Sequence, residues 1–151
     1  MKKLVLCLIL LFIICGCDKD SGGKFYLDNK YYGDGEYIEV ESSDIRKNND
    51  SYVLFTYNNF CTLAVPCEDV FEKFMKENDI SFLSMPFDEF KDTYLYDTVK
   101  YAPSVIIVHK GKVVAYLDAE NDDDLKKYQD TLEFKDWLSN YIYLEKYLYF
   151  I

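Results

Sequence analysis

Apolar positions along the chain change their period several times, and each change marks an element. Leu4 to Ile14 is an unbroken apolar run behind Lys2 and Lys3. Residues 18–35 lose that pattern. Gly22, Gly23, Gly33 and Gly35 alternate with Asp, Asn and Tyr, so the stretch reads as a tether, with aromatics that can dock on the domain behind it. Tyr37-Ile38-Glu39-Val40 predicts a short strand, and Ser42-Ser43-Asp44 offers cap chemistry for a short helix over 43–49. Ser51 to Tyr57 is β-branched and aromatic, a strand that Asn58 and Asn59 break. Behind Pro66, the residues Val70, Phe71, Phe74 and Met75 form one helical stripe over 67–78.

The second half continues the alternation. Ile80 to Met85 predicts a strand, and Phe87, Phe90, Tyr94, Leu95 and Val99 a helix over 87–100. Ser104 to His109 is continuously apolar up to its last residue, the pattern of a strand buried on both faces. Lys110-Gly111-Lys112 turns the chain into a strand over 113–117, which completes a hairpin. Residues 118–130 are acidic and loop-like. Thr131 is placed to cap a last helix carrying Phe134, Trp137, Leu138, Tyr141 and Ile142, and 145–151 is an aromatic tail expected to dock on its own domain. Strands alternating with helices, then a hairpin, specify an α/β sheet with helices on both faces.

Composition narrows the function classes. The 151 residues suit one domain plus a targeting segment. Half are hydrophobic, which excludes a disordered chain. The net charge of −10 repels phosphate backbones, so no nucleic-acid partner is expected. With one histidine and five cysteines, a metal centre would have to be built mainly from thiolates. His109 reads as a turn-flanking residue. The run Asp118, Glu120, Asp122, Asp123, Asp124 lacks the central Gly and distal Glu of an EF-hand loop, and reads as a solvated loop that also caps a helix.

The apolar run at the start is too short to span a bilayer, which takes about 20 residues. With its basic start and polar sequel it has the plan of a signal peptide. Ile14-Cys15-Gly16-Cys17 resembles the lipobox of bacterial lipoproteins: an aliphatic residue, two small residues and the cysteine that is lipidated after cleavage in front of it. The resemblance implies a signal peptide over 1–16, lipid on Cys17, a tether over 17–35 and a domain over 36–144. It also implies a membrane partner through the anchor, and a location on the extracytoplasmic face of the cell membrane, where disulfides persist. Cys61 and Cys67 are then the thiols left in the domain, too few for a closed cysteine–zinc site, so no metal and no cofactor is expected.

The element order, together with two corners, resembles the thioredoxin-like fold, a central mixed sheet with helices on both faces. Val53 to Cys61 is similar to that family's strand leading through an aromatic residue into the nucleophilic cysteine; Phe60 takes the aromatic slot and Cys61 the nucleophile slot. Tyr101-Ala102-Pro103 followed by Ser104 to Val108 is similar to the family's cis-proline and buried strand. The resemblance implies thiol–disulfide exchange on client proteins with thiols or disulfides. Cys61 would attack, Cys67 would resolve, and Ala102 and Pro103 would present backbone to an extended substrate.

The chain departs from the family pattern in three places. Five residues separate the two cysteines instead of two, Phe55 stands where a buried acid often assists proton transfer, and Glu68 and Asp69 follow Cys67. Six positions of continuous helix span about 9 Å, beyond the Cα separation of up to about 6.8 Å usual for a disulfide. Residues 62–66 must therefore be non-helical if the pair bonds. Two readings stay open: a redox-active pair, or a non-catalytic binding or accessory module with a structural Cys61–Cys67 disulfide.

Overall fold

The computed structural model describes residues 23–58 and 65–146. Five strands, β1 (Tyr37–Glu39), β2 (Tyr52–Tyr57), β3 (Phe82–Pro86), β4 (Ser104–His109) and β5 (Lys112–Tyr116), form one sheet in the order β1-β3-β2-β4-β5. β3 runs parallel to both β1 and β2, whereas β4 runs antiparallel to β2 and to β5. This mixed order is that of the thioredoxin-like fold. The apolar content of β2 and β4 puts them at the centre: Val53, Leu54, Val105, Ile106, Ile107 and Val108 are all fully buried. Leu54 stands beside Leu83 on one side and Ile106 on the other, so one face of the sheet carries Leu54, Leu83 and Ile106, and the opposite face carries Phe55.

Among the described residues, three helices cover the sheet: α1 (Cys67–Asn78), α2 (Phe87–Phe90) and α3 (Thr131–Leu138). The stripe Val70, Phe71, Phe74 and Met75 is the buried side of α1. α1 and α3 share the Phe55 face, where Phe71 and Phe134 lie 4.6 Å apart. Asp79 closes α1 in the left-handed conformation.

The structure differs from the sequence expectations at several joints. The tether expected over 17–35 does not reach residue 35. Leu27, Tyr31 and Tyr32 are buried, Phe25 bridges to Ile142, and Tyr32 bridges to Ile80. Aromatic burial there outweighs the loop-like composition. The helix expected over 43–49 is one 3-10 turn, Ser42–Asp44, closed by a reciprocal Glu41–Asp44 capping box. The helix expected over 87–100 breaks after Phe90, because Thr93 donates its hydroxyl to the Phe90 carbonyl at 2.8 Å; a 3-10 turn follows over Tyr94–Asp97. Within the acidic stretch 118–130, Asp122–Tyr128 is 3-10, started by the Asn121 side chain accepting from the Asp123 N–H.

The last helix is capped by Asp130 and not by Thr131, which is its first residue. The Asp130 carboxylate accepts from the N–H groups of Leu132 and Glu133, and a charged acceptor is favoured at the positive helix end. The helix stops at Leu138, so Tyr141 and Ile142 pack from the following turn. Residues 1–22, 59–64 and 147–151 lie outside the described residues. The signal peptide, Cys17 and most of the C-terminal tail are among them.

The β4–β5 hairpin turns through Lys110 (φ 48°) and Gly111 (φ 72°), the two-residue turn with both φ positive. Gly111 donates its N–H to the Asp50 carbonyl, and a Cβ there would sit 2.2 Å from the Asn48 carbonyl oxygen. Gly111→Ala should lower the unfolding free energy by about 2–3 kcal/mol in urea denaturation. Lys110→Gly, which removes the other strained side chain, should change it by less than about 0.5 kcal/mol.

Candidate functional site

The parallel strands β1, β2 and β3 end at one edge of the sheet, and β4 begins there, since Thr56 near the end of β2 pairs with Ser104. Three chain corners meet at this edge: the end of β2, the start of α1 and the loop ahead of β4. The apolar stripe of α1 determines where its first residue falls. Phe71 packs edge-on against Phe55 of β2 at 5.3 Å and against Tyr128 at 5.8 Å, which sets the helix start against the sheet. Cys67 is the first residue of α1 and is fully buried. Pro66 precedes it with no side-chain cap, and Glu68 and Asp69 occupy the first turn, where the helix dipole favours acids.

The Ala102–Pro103 peptide is cis. Pro103 is buried and Ala102 half-buried. Three polar contacts hold this corner. The Tyr128 hydroxyl shares its proton between the carbonyls of Pro103 at 2.8 Å and Leu117 at 2.9 Å. The Ser104 hydroxyl donates to the Tyr101 carbonyl at 2.8 Å. The Asn58 amide, just past β2, donates to the Ala102 carbonyl at 2.9 Å.

Two phenols contact α1 near its start, Tyr128 through the Phe71 ring and Tyr37 through the Glu68 carbonyl. Burial first, then the neighbouring Cys67, pushes the Tyr128 hydroxyl well above the ordinary phenol value. The same two causes, in the same order, act on Tyr37, whose hydroxyl donates to the Glu68 carbonyl at 3.2 Å. Both phenols therefore keep their protons as donors near Cys67. Tyr128 packs on Phe71 of α1 and holds the Pro103 carbonyl, which brings the first turns of α1 and the Ala102–Pro103 loop into one neighbourhood.

The predicted site residues divide accordingly. Cys67, Ala102 and Pro103 come together at this edge, whereas Phe60 and Cys61 fall in 59–64, outside the described residues. Phe55, at the position where the resemblance led to an acid being expected, is buried and ringed by Tyr37, Tyr57 and Phe71. His109 lies away from this edge at the far end of β4, its Nδ1 3.1 Å from the Ser51 hydroxyl and its ring tilted against that of Phe25 at 4.0 Å. Sequence reading missed Asn58, Tyr37 and Tyr128. Asn58 carried a signal, an amide three residues before Cys61; Tyr128 carried none, because it sits in an acidic stretch with no apolar period.

No protein-family model matches the chain, and no curated protein matches it in sequence. Among solved structures, it is similar to a mutant thioredoxin from Halobacterium salinarum NRC-1 at 18% identity, over 77% of this chain and 97% of that one, with a TM-score of 0.49. It is also similar to spinach chloroplast thioredoxin f at 22% identity, over 63% and 85% of the two chains, with a TM-score of 0.42. A thioredoxin from Trypanosoma brucei brucei gives 18% identity, 68% and 91% coverage, and a TM-score of 0.44.

Tyr128→Phe keeps the ring packing but strips the donor from two carbonyls at the cis corner. It should destabilise the protein by about 1–3 kcal/mol in chemical denaturation.

Proposed function

We propose that this protein is a lipid-anchored, extracytoplasmic thiol–disulfide exchange protein acting on client proteins that carry thiols or disulfides. The observation that most supports this reading is Cys67 at the buried start of α1, with Tyr128 joining that helix, through Phe71, to the cis Ala102–Pro103 corner. Cys61 is its partner by chain position, Phe60 lies beside it, and Ala102 and Pro103 offer backbone to an extended client segment. Cys17 carries the lipid, and the residues between it and Phe25 serve as the tether. Two or more acyl chains suffice for stable anchoring.

In the reducing direction, the Cys61 thiolate attacks one sulfur of a client disulfide. The client S–S bond breaks, its other sulfur leaves as a thiolate and takes a proton, and Cys61 is joined to the client. Cys67, deprotonated, then attacks the Cys61 sulfur and expels the second client thiol. The client gains two electrons and two protons, and the protein is left with a Cys61–Cys67 disulfide. The same steps reversed oxidise a client dithiol. The reduction potential of the pair sets the direction, and a dithiol or disulfide partner protein resets it. A helix start favours a thiolate, while Glu68 and Asp69 oppose it.

Phe55 favours a second reading, a non-catalytic accessory module with a structural disulfide, because an apolar ring cannot relay the proton that resolution releases. Alkylation trapping across glutathione poises separates the two. Exchange predicts a Cys61–Cys67 couple that titrates between reduced and oxidised, and a Cys67→Ser variant that accumulates mixed disulfides with clients. A pair oxidised at every accessible poise would leave the module reading in place. For the anchor, Cys17→Ala should abolish incorporation of labelled fatty acid and move the protein out of the membrane fraction. Retention there with no acyl label would count against lipidation.

A further inference from the structure

A groove flanks β2 on the side away from Ala102–Pro103, over the ends of the parallel strands. Its inner part, about 290 Å³, is lined by Tyr37, Glu39, Phe55, Tyr57, Glu68 and Ser84. The floor is aromatic, with the Tyr37 and Phe55 rings 5.7 Å apart and those of Phe55 and Tyr57 5.8 Å apart. A second cavity of about 480 Å³ shares Glu39, Tyr57 and Ser84, and adds the carboxylates of Glu41, Asp44 and Glu89. Glu68 places the inner end of the groove next to Cys67 in the chain.

The charge here is one-sided. Neither cavity has a Lys or Arg in its lining. Among the described residues, every ion pair uses other carboxylates: Asp50, Glu72, Glu77, Asp88 and Asp124. The field converges on the Tyr57 hydroxyl, which burial raises above its ordinary value, followed by the charges of Glu39, Glu68 and Glu89. An aromatic floor under an uncompensated acidic rim complements an extended segment that lays an apolar side chain on the rings and points cations at the carboxylates. A second copy of this chain, itself strongly acidic, is repelled from the same place.

We propose that this groove holds a Lys- or Arg-bearing segment of the client polypeptide, beside the Cys67 end of α1. The inference rests on the exchange reading above, and it adds a charge preference that the thiols alone do not supply.

The test uses the full chain and a labelled, cysteine-free peptide of alternating Lys and apolar residues with one Phe, compared with its Glu-for-Lys counterpart. At low ionic strength the Lys peptide should bind about tenfold tighter than the Glu peptide, and the preference should largely vanish by about 0.5 M salt. The Glu39→Gln/Glu68→Gln/Glu89→Gln variant should weaken Lys-peptide binding by about tenfold, since rim pairs each contribute modestly. Glu120→Gln/Glu133→Gln/Glu145→Gln changes net charge equally at exposed sites elsewhere and should leave binding within about twofold. Equal binding of the two peptides would overturn the proposal, as would equal loss in the two variants. So would saturation of the groove by calcium with no peptide bound. Because the peptide has no thiol, these outcomes read the groove alone. Exchange of the wild-type chain with uncharged hydroxyethyl disulfide reads the redox function separately.

Discussion

The Phe71 ring organises this molecule. It touches Phe55 from the central strand, Tyr128 from the 3-10 turn and Phe134 from the last helix. Phe134 in turn packs edge-on against Phe74 at 5.1 Å, so two successive turns of α1 are held by the same cluster. Burying a ring of this size contributes about 1.5–3 kcal/mol, with aromatic pairing adding about 0.5–1.5 kcal/mol for each favourable contact. These contacts fix the position of α1 relative to β2, and so fix where Cys67 lies. A helix free to slide by one residue would move Cys67 about 1.5 Å along the axis, enough to spoil the exchange geometry proposed above.

Tyrosine does a second job in the same structure. Tyrosine hydroxyls donate to backbone carbonyls of irregular segments: Tyr128 to Pro103 and Leu117, and Tyr32 to Tyr143. Each removes a polar group that burial would otherwise leave unsatisfied, at a place where no strand partner can reach. The desolvation that raises their pKa values also guarantees that they remain donors. This explains why a chain rich in tyrosine can carry so much non-repetitive backbone at its edges. It also explains how residues 25–32, which look like a linker by composition, become part of the core.

Acidic residues follow a different logic. Several serve as caps, including Asp130 on α3 and Asp44 in the turn after β1. The carboxylates around the strand ends do not pair, and they gather on one side of β2. The opposite side of that strand meets the cis corner through the Asn58 amide. The proposed exchange site thus stands between a neutral, backbone-rich flank and an acidic, aromatic one, an asymmetry that a pair of cysteines could not produce alone.

The sequence was enough to identify what depends on local pattern. The stripe Val70-Phe71-Phe74-Met75 gave α1 its true bounds, the unbroken run before His109 identified the doubly buried β4, and Lys110-Gly111 marked the hairpin. Each rests on periodicity or φ preference, which act within a few residues. The cis peptide before Pro103 and the place of Cys67 at the start of α1 were legible for the same reason: each depends on a contiguous stretch. What only the tertiary structure decided is which distant groups meet. The apolar spacing over 87–100 could not reveal that Thr93 would take the Phe90 carbonyl and break the helix. Nothing near Tyr128 announced that its hydroxyl would hold a corner 25 residues upstream. No count of acids showed that Glu39, Glu68 and Glu89 would surround one tyrosine. Such contacts are made by chain crossings, and their energy appears only once the sheet order has brought the ends together.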